Sequence, residues 1–226
     1  MGGLRIKWLG HSCFQVTDAR GFRVLTDPYE VPRRPGMPLR FTYPPLDVAA
    51  DLVLVSHDHF DHNAVHAVRG DPAALREPGE HRVGDVTARG VAGEHDPEGG
   101  RVRGRNLLWR WEQDGVSLCH LGDFGQAALR PEQADALRPV DVLFVPVGGG
   151  PVADARGAKE LVGLLQPHLV FPMHYRTAFV DFGEPVEGFL RLMGTVRREE
   201  ADVVELTPEQ IRVARGDAVV LRPPGG

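Results

Sequence analysis

The sequence predicts an α/β sandwich, in which strands flanked by helices form one domain over residues 1–226. Short apolar runs such as Leu52–Val55 and Val142–Val145 are bounded by polar or turn-forming residues, which is typical of buried strands. Ala153–Leu165 places its apolar residues on one helical face, and Pro131–Leu137 is predicted as a shorter helix. The 226 residues contain no internal repeat and no dividing linker. We therefore expect a single domain.

Most of the remaining elements are strands joined by turns. Asp18–Gly21 and Gln113–Gly115 predict hairpin turns, and Arg212–Leu221 predicts a final hairpin around Gly216-Asp217. Two short strands are expected around Val83–Arg89. The other predicted strands are Leu4–Leu9, Cys13–Thr17, Phe22–Thr26, Asn106–Trp111, Val116–Leu121, Asp141–Val147 and Leu169–Phe171.

Two further helices and one long loop complete the pattern. Thr207–Gln210 combines a capping Thr, a first-turn proline and a Gln three residues after the cap, which predicts a helical start. Asn63–Val68 is predicted as a short helix, with Asp61 or Asn63 as its cap. Glu30–Pro45 contains five prolines and is predicted to be a loop, either a lid or a surface excursion.

Composition excludes several classes of protein. A net charge of −5 gives no support for a nucleic-acid or anionic-membrane surface, and we predict neither partner. Arg101, Arg103 and Arg105 alternate along a possible strand, which we interpret as a solvated edge. The start of the chain lacks the apolar core of a signal peptide, and no stretch is long enough to span a membrane. With Cys13 and Cys119 as the only cysteines, we expect reduced thiols in the cytoplasm.

The most informative segment is Ser56–Asn63, which directly follows a predicted strand. It contains His57, His59, Asp61 and His62, and imidazole and carboxylate are the ligand types that suit zinc and similar divalent ions. Residues two apart in an extended segment point to the same side, so His57 and His59 are expected to bind one ion together. Asp61 and His62 are adjacent and diverge. A convergent pair beside a divergent pair favours two neighbouring ions over one.

Ligand-type residues recur where other predicted strands end. His95, Asp123 and His174 each follow a predicted strand. Together they supply a third ligand for each of two ions and a carboxylate that bridges the ions. His81 competes with His95 for its place.

The motifs resemble those of the metallo-β-lactamase-fold hydrolases. The chain is most similar to the compact branch that contains sugar-phosphate lactonases and uncharacterised zinc-dependent hydrolases. The matching segments run in family order over nearly the whole chain. They are Trp8–Phe14, Leu25–Pro28, Ser56–His62, His120–Asp123, Val145–Gly149 and Phe171–Tyr175.

This resemblance implies a four-layer αββα sandwich with the metals at one edge, between the sheets. It also implies ligand roles for seven residues. The first metal is bound by His57, His59 and His95, the second by Asp61, His62 and His174, and Asp123 bridges the two. His11 is expected to contact substrate or carry a proton, and Asp27 and Asp58 to orient metal-bound histidines. His120 is expected in the core or behind the ligands.

The expected activity is hydrolysis of a small ester, lactone or phosphoester, with an anionic substrate preferred. Two divalent ions, most simply zinc with manganese or iron as alternatives, would lower the pKa of a bridging water and provide hydroxide. Asp61 would orient this nucleophile, and either His11 or a metal-bound water would protonate the leaving group. Gly148–Gly150 would allow close approach of substrate, and Arg176 would hold an anion or be solvated. A mononuclear iron oxidoreductase and a non-catalytic metal-binding scaffold are the alternatives, and the oligomeric state stays open.

Overall fold

Two β-sheets form the framework of the protein. The structure is a computed structural model that describes residues 2–31 and 40–225. The strands are β1 (Leu4–Gly10), β2 (Cys13–Thr17), β3 (Arg23–Thr26), β4 (Leu52–Leu54), β5 (Ala73–Leu75), β6 (Gly79–Val83), β7 (Val86–Glu94), β8 (Arg105–Gln113), β9 (Val116–His120), β10 (Val142–Pro146), β11 (Leu169–Met173), β12 (Val196–Arg198), β13 (Val203–Leu206) and β14 (Asp217–Val220). The helices are α1 (Pro131–Leu137), α2 (Ala155–Leu165), α3 (Glu187–Leu190) and α4 (Pro208–Arg212).

The sheets differ in size and mix parallel with antiparallel pairing. The first sheet has the order β13-β1-β2-β3-β4-β5, and β3, β4 and β5 are parallel. The second has the order β12-β14-β11-β10-β9-β8-β7-β6, and its central strands β9, β10 and β11 are parallel. Parallel neighbours bring their carboxyl ends to the same edge of a sheet, which is where ligands bind in sheets of this kind.

The main core lies between the sheets and contains a group of packed aromatic rings. The ring of Phe14 in β2 lies 4.6 Å from that of Phe144 in β10, and Phe144 in turn packs against Trp111 and Phe171. Residues alternate between two cores along the first sheet: Val24 faces the main core, whereas the next residue, Leu25, faces a second cluster.

The outer layers cover the two remaining faces. Helices α1 and α2 pack against the second sheet, with Ala158, Leu161, Val162 and Leu165 of α2 buried as its apolar spacing predicts. In the described residues the first sheet is covered by Tyr29, Phe41 and Tyr43 from loops, beside a 3₁₀ turn at Val65–Ala67. The predicted αββα sandwich is confirmed, with loops and a 3₁₀ turn in place of long helices over the first sheet in the described residues.

Two local predictions are wrong. The helix predicted over Asn63–Val68 is only the 3₁₀ turn, and no side chain caps it. Its supposed cap, Asn63, instead donates through Nδ2 to Asp58 at 2.7 Å, while the backbone N–H groups of His62 and Asn63 both donate to the His59 carbonyl. Turns rather than an extended strand or a helix therefore carry the His-rich segment.

The second wrong prediction is the hairpin over Arg212–Leu221. Arg212 ends α4, and β14 pairs in parallel with β11 and β12 instead of with its own neighbour in sequence. The preceding capping box is confirmed, because Thr207 accepts from the Gln210 N–H and Gln210 accepts from the Thr207 N–H. The weakly apolar strands β12 and β13 and the helix α3 were not predicted.

Two expectations concern the rest of the chain. The loop predicted over Glu30–Pro45 falls partly on residues 32–39, which lie outside the described residues. In the described part, residues 40–45 are irregular except for an isolated bridge between Phe41 and Val180. Among the described residues, no helix has the length and apolar character needed to cross a membrane.

Candidate metal centre

The predicted ligands meet where strands of both sheets end. From the first sheet, His11 follows β1, Asp27 follows β3, and the His-rich segment follows β4. From the second sheet, His95 follows β7, Asp123 lies three residues after β9, and His174 follows β11. The structure thus brings together all seven predicted metal ligands, together with His11, at one edge of the sandwich.

One group consists of His57, His59 and His95, whose ligand atoms lie within 4.8 Å of one another. His57 Nε2 and His59 Nδ1 are 2.8 Å apart. His95 is buried in the cluster, whereas the competing His81 lies in β6 with its Nε2 2.9 Å from the Glu77 carbonyl. Among the two candidates, geometry therefore favours His95.

A second group consists of His11, His62 and His174, also within 4.8 Å of one another. The resemblance implied that Asp61, and not His11, is the third ligand of this group. Asp61 is close by, with Oδ2 3.3 Å from His11 Nε2 and 3.8 Å from His62 Nε2. Its side chain is 14% exposed, so it forms the open side of this group.

Asp123 lies between the two groups. Its Oδ2 is 3.1 Å from His95 Nε2 and 3.3 Å from His174 Nε2, while its Oδ1 is 3.4 Å from His62 Nε2. The Asn106 side chain holds the backbone here, because its Oδ1 accepts from the Asp123 N–H at 2.9 Å and its Nδ2 donates to the Leu121 carbonyl. One carboxylate thus faces histidines of both groups, which is the arrangement a bridging ligand needs.

Asp27 and Ser56 fix the histidines from behind. Asp27 Oδ2 is 2.9 Å from His62 Nδ1 and accepts from the Ser56 hydroxyl at 2.7 Å, and Oδ1 accepts from the Ser56 N–H. The Ser56 Oγ is in turn 2.8 Å from His57 Nδ1. With both Nδ1 atoms donating to this network, the Nε2 atoms of His57 and His62 point into the cluster, and a bound metal would take the place of any proton on them.

His120 has a structural place, as expected. Its Nε2–H donates to the Ser12 carbonyl at 2.9 Å, and its Nδ1 accepts from the Gly122 N–H at 3.1 Å. Both ring nitrogens are therefore used. The close packing here requires glycine at 122, where a Cβ would meet Asn106 Oδ1 at 2.3 Å.

Burial and neighbouring charges lower the pKa of some residues of the cluster and raise the pKa of others. Burial lowers the pKa of His57 to about 3, and the neighbouring His62 adds to this shift. Burial also opposes protonation of His62, but the carboxylates of Asp123 and Asp61 outweigh it and raise the pKa of that imidazole to about 10. Although Asp123 is buried as well, His174 and His62 hold the pKa of its carboxyl well below the usual range. The cluster therefore stabilises positive charge at its centre.

Buried polar atoms without a hydrogen-bond partner indicate what kind of ligand the cluster suits. Burying a polar atom without a partner costs about 1–3 kcal/mol, so such atoms are rare in proteins. Several lie in this cluster without a hydrogen-bond partner among the described residues. They are both ring nitrogens of His11, His62 Nε2, His95 Nδ1, His174 Nδ1 and Asp123 Oδ1. Of these atoms, His62 Nε2 lies 3.4 Å from Asp123 Oδ1, and His11 Nε2 lies 3.3 Å from Asp61 Oδ2. Imidazole nitrogens and carboxylate oxygens brought together in this way are the ligand set of a divalent metal such as zinc.

The backbone is strained at three of these positions. His11, Asp27 and His174 have φ values of 52°, 39° and 52°, in the left-handed region that such residues seldom adopt. Gly148 approaches the strained turn at His174 so closely that a Cβ would lie 2.0 Å from the His174 carbonyl oxygen. This contact, rather than room for substrate, explains why glycine stands at 148.

Other sequence expectations lie away from the cluster. Asp58 is exposed and its Oδ1 accepts from Asn63, so its predicted role behind a metal-bound histidine is wrong. Arg176 is exposed and donates through Nε to the Gly183 carbonyl, as expected for a solvated arginine.

Sequence reasoning missed the aromatic wall beside His11. The rings of Phe41 and Phe182 lie 5.3 and 5.7 Å from that imidazole, and Phe60 packs on Phe41. Phe60 was visible in the sequence as the one apolar residue within the His-rich segment. It is 44% exposed, so an apolar surface borders the candidate site.

Known proteins are similar to this chain in sequence and in fold. A family model described as the beta-lactamase superfamily domain matches residues 5–174. A UPF0173 metal-dependent hydrolase from Thermococcus kodakarensis is 31% identical, over 91% of this chain and 97% of its own length. The diiron β-hydroxylase CmlA from Streptomyces venezuelae is 17% identical with a TM-score of 0.57, over 98% of this chain and 53% of its own, a likeness of fold alone.

A solved structure is similar over almost its full length. It is that of a protein from Thermotoga maritima assigned to the zinc-dependent hydrolases of the metallo-β-lactamase superfamily. It has a TM-score of 0.78 and 32% identity, and the match covers 96% of this chain and 98% of that one. The family model spans more than half of the chain and every predicted metal ligand, and this chain therefore belongs to the metallo-β-lactamase superfamily.

Proposed function

We propose that this protein is a metal-dependent hydrolase that uses two divalent metal ions, most simply zinc, to hydrolyse a small ester, lactone or phosphoester. The observation that carries the proposal is the position of Asp123, whose two carboxylate oxygens face histidines of both groups. Relatives at 31% and 32% identity are named as a metal-dependent and a zinc-dependent hydrolase, which supports the same activity.

Seven residues would hold the ions. His57, His59 and His95 would bind one ion, and Asp61, His62 and His174 the other, with Asp123 between them. The chemistry these ions would supply is Lewis acidity, which lowers the pKa of water and makes hydroxide available at neutral pH. The exposed edge of Asp61 faces the open side of the cluster, where it can accept a hydrogen bond from the nucleophile and orient it.

His11 has a separate role in this proposal. Its Nε2 lies 3.3 Å from Asp61, and its ring is enclosed by Phe41 and Phe182, which exclude water from that side. We assign it to the substrate's leaving group, with which it would exchange a proton. Both cysteines are free and buried, in keeping with the cytoplasmic location that we propose.

The test combines metal analysis with turnover. Protein purified without added metal should contain two divalent ions per chain and should hydrolyse members of a panel of lactones, thioesters and phosphodiesters. Asp123→Ala should lose metal and hydrolysis while keeping its circular dichroism spectrum. The matched control is Asp18→Asn, which changes a buried carboxylate in the β2–β3 turn and should keep both.

Three outcomes would contradict the proposal. One iron per chain together with oxygen consumption would indicate an oxidoreductase. Bound metal without metal-dependent turnover of any panel member would favour a binding scaffold. Full metal content and activity in Asp123→Ala would exclude a bridging role for this carboxylate.

A further inference from the structure

A cavity opens directly beside the candidate metal centre. Its volume is about 530 Å³, and His57 and His59 form part of its wall. Arg76, Arg103 and Arg105 also line it. Three arginines therefore line the same cavity as two predicted metal ligands.

These three arginines have no ion-pair partner in the described part of the chain, although twelve other basic residues are in a salt bridge with a carboxylate. Arg76 donates to the Asn63 side-chain oxygen at 3.0 Å, which leaves its charge uncompensated. Two acidic residues, Asp58 and Glu77, also line the cavity, and the Asp58 carboxylate accepts from Asn63. Positive charge is in excess there, on a chain whose net charge is −5.

Hydrogen bonds hold the loop that carries Arg103 in one conformation. The buried carboxylate of Asp96 accepts from four backbone N–H groups, those of Glu98, Gly100, Val102 and Arg103, at 2.7–3.0 Å. The His95 N–H donates to the Gly104 carbonyl at 3.1 Å, which ties the far end of the loop to a predicted metal ligand. The same turn therefore positions a ligand of the cluster and the arginine wall of the cavity, and it is organised before any ligand binds.

We propose that this cavity binds an anionic group of the substrate, a carboxylate or a phosphate, and so makes Arg103 and Arg105 determinants of substrate specificity. Guanidinium groups recognise both anions through paired, charge-assisted hydrogen bonds. An anion held there leaves the neighbouring part of the same molecule at the histidine cluster, where hydrolysis is proposed to occur. The inference rests on the proposed function, and it narrows the substrate class to anionic esters.

A matched pair of substrates tests this directly. 4-Nitrophenyl acetate and the 4-nitrophenyl half-ester of succinic acid contain the same scissile bond, and only the second carries a carboxylate. For Arg103→Ala/Arg105→Ala, kcat/KM on the half-ester should fall about 10–100-fold, mostly through KM, because charge-assisted hydrogen bonds are lost. The neutral ester should change less than about 2-fold, and metal content should not change.

Arg101→Ala is the control from the same loop. Arg101 is exposed, donates to the Glu98 carbonyl and does not line the cavity, so its loss should leave both substrates within about 2-fold. Arg103 and Arg105 are exposed as well, and unchanged thermal unfolding would show that the double variant is folded.

A binding measurement separates this inference from the proposed hydrolysis. Calorimetric titration with benzenesulfonate, an anion that is a poor metal ligand, should show binding to wild type and to Arg101→Ala, and at least 10-fold weaker binding to the double variant. Arginine-dependent binding in a protein that hydrolyses neither ester and no member of the lactone, thioester and phosphodiester panel would overturn the proposed function and keep the anion site. Equal loss on both esters, or no arginine-dependent binding, would overturn the anion site itself.

Discussion

Asp27→Asn tests how the cluster is held together. The substitution keeps the size of the side chain, and asparagine tolerates the φ of 39° found here. Oδ1 must stay an oxygen because it accepts from the Ser56 N–H at 2.7 Å. The new NH₂ group therefore replaces Oδ2. In the wild-type protein Oδ2 accepts from Ser56 Oγ and faces His62 Nδ1. A donor at this place opposes the Nδ1–H tautomer of His62.

The magnitude follows from the change of tautomer. If His62 Nδ1 accepts from the introduced amide, the proton moves to Nε2 and removes the lone pair that would bind metal. Loss of such an orienting partner costs about 10–100-fold in metal affinity, or about 1.4–2.8 kcal/mol. We expect the upper end of this range, because Ser56 links Asp27 to His57 as well.

Competition against a chelator of known affinity measures the effect. Asp27→Asn should bind metal about 100-fold more weakly and lose hydrolysis in proportion. Asp18→Asn, whose carboxylate accepts only from the turn between β2 and β3 and from Arg20, is the control and should match wild type. Metal affinity of Asp27→Asn within 2-fold of wild type would refute the tautomer argument.

Three further changes give separate tests. Gly148→Ala should lower the free energy of unfolding by about 1–3 kcal/mol and weaken metal binding, because its Cβ would lie 2.0 Å from the His174 carbonyl oxygen. His95→Ala should lower metal content, measured by mass spectrometry, because it removes one imidazole from the first group. Lowering the pH from 6.5 to 5 should destabilise the metal-free protein in urea titrations, because the unfolded chain protonates His11 and His57 near pH 6.5 while their folded pKa values are about 4 and about 3. Each imidazole then contributes a loss of roughly 2 kcal/mol at pH 5.

Each of these tests has its own contradicting result. Gly163→Ala on α2, where nothing lies within 4 Å of the added Cβ, should stabilise the protein by about 0.5–1 kcal/mol, and an equal loss in both glycine variants would exclude the His174 contact. His81→Ala should keep its metal, and loss there with retention in His95→Ala would reverse the assignment. A metal-free protein as stable at pH 5 as at pH 6.5 would contradict the burial of neutral imidazoles.

Much of the site could be predicted because its residues follow strands. A buried strand is a short apolar run, and Asp123 and His174 stand just beyond two such runs. Parallel strands of one sheet have their carboxyl ends at the same edge. Residues that directly follow such strands are therefore expected to lie close together. The Asp27–His62 contact was expected from the resemblance and is present at 2.9 Å.

The parts that could not be predicted depend on long-range contacts. His11 joins His62 and His174 only because its backbone turns at φ 52°, which no local pattern indicates. The alternation of Arg103 and Arg105 was interpreted as a solvated strand edge. Arg103 instead lies in a turn held by the Asp96 carboxylate, and both arginines line the cavity beside His57 and His59. The final strand β14 likewise found its partner in β11, far away in sequence.

The most direct test of the central claim is anomalous diffraction from crystals of protein purified with its own metal. We expect two peaks, one bounded by His57, His59 and His95 and the other by His62 and His174, with the Asp123 carboxylate between them. A single peak, or peaks that Asp123 does not contact, would contradict a centre built on this bridging carboxylate.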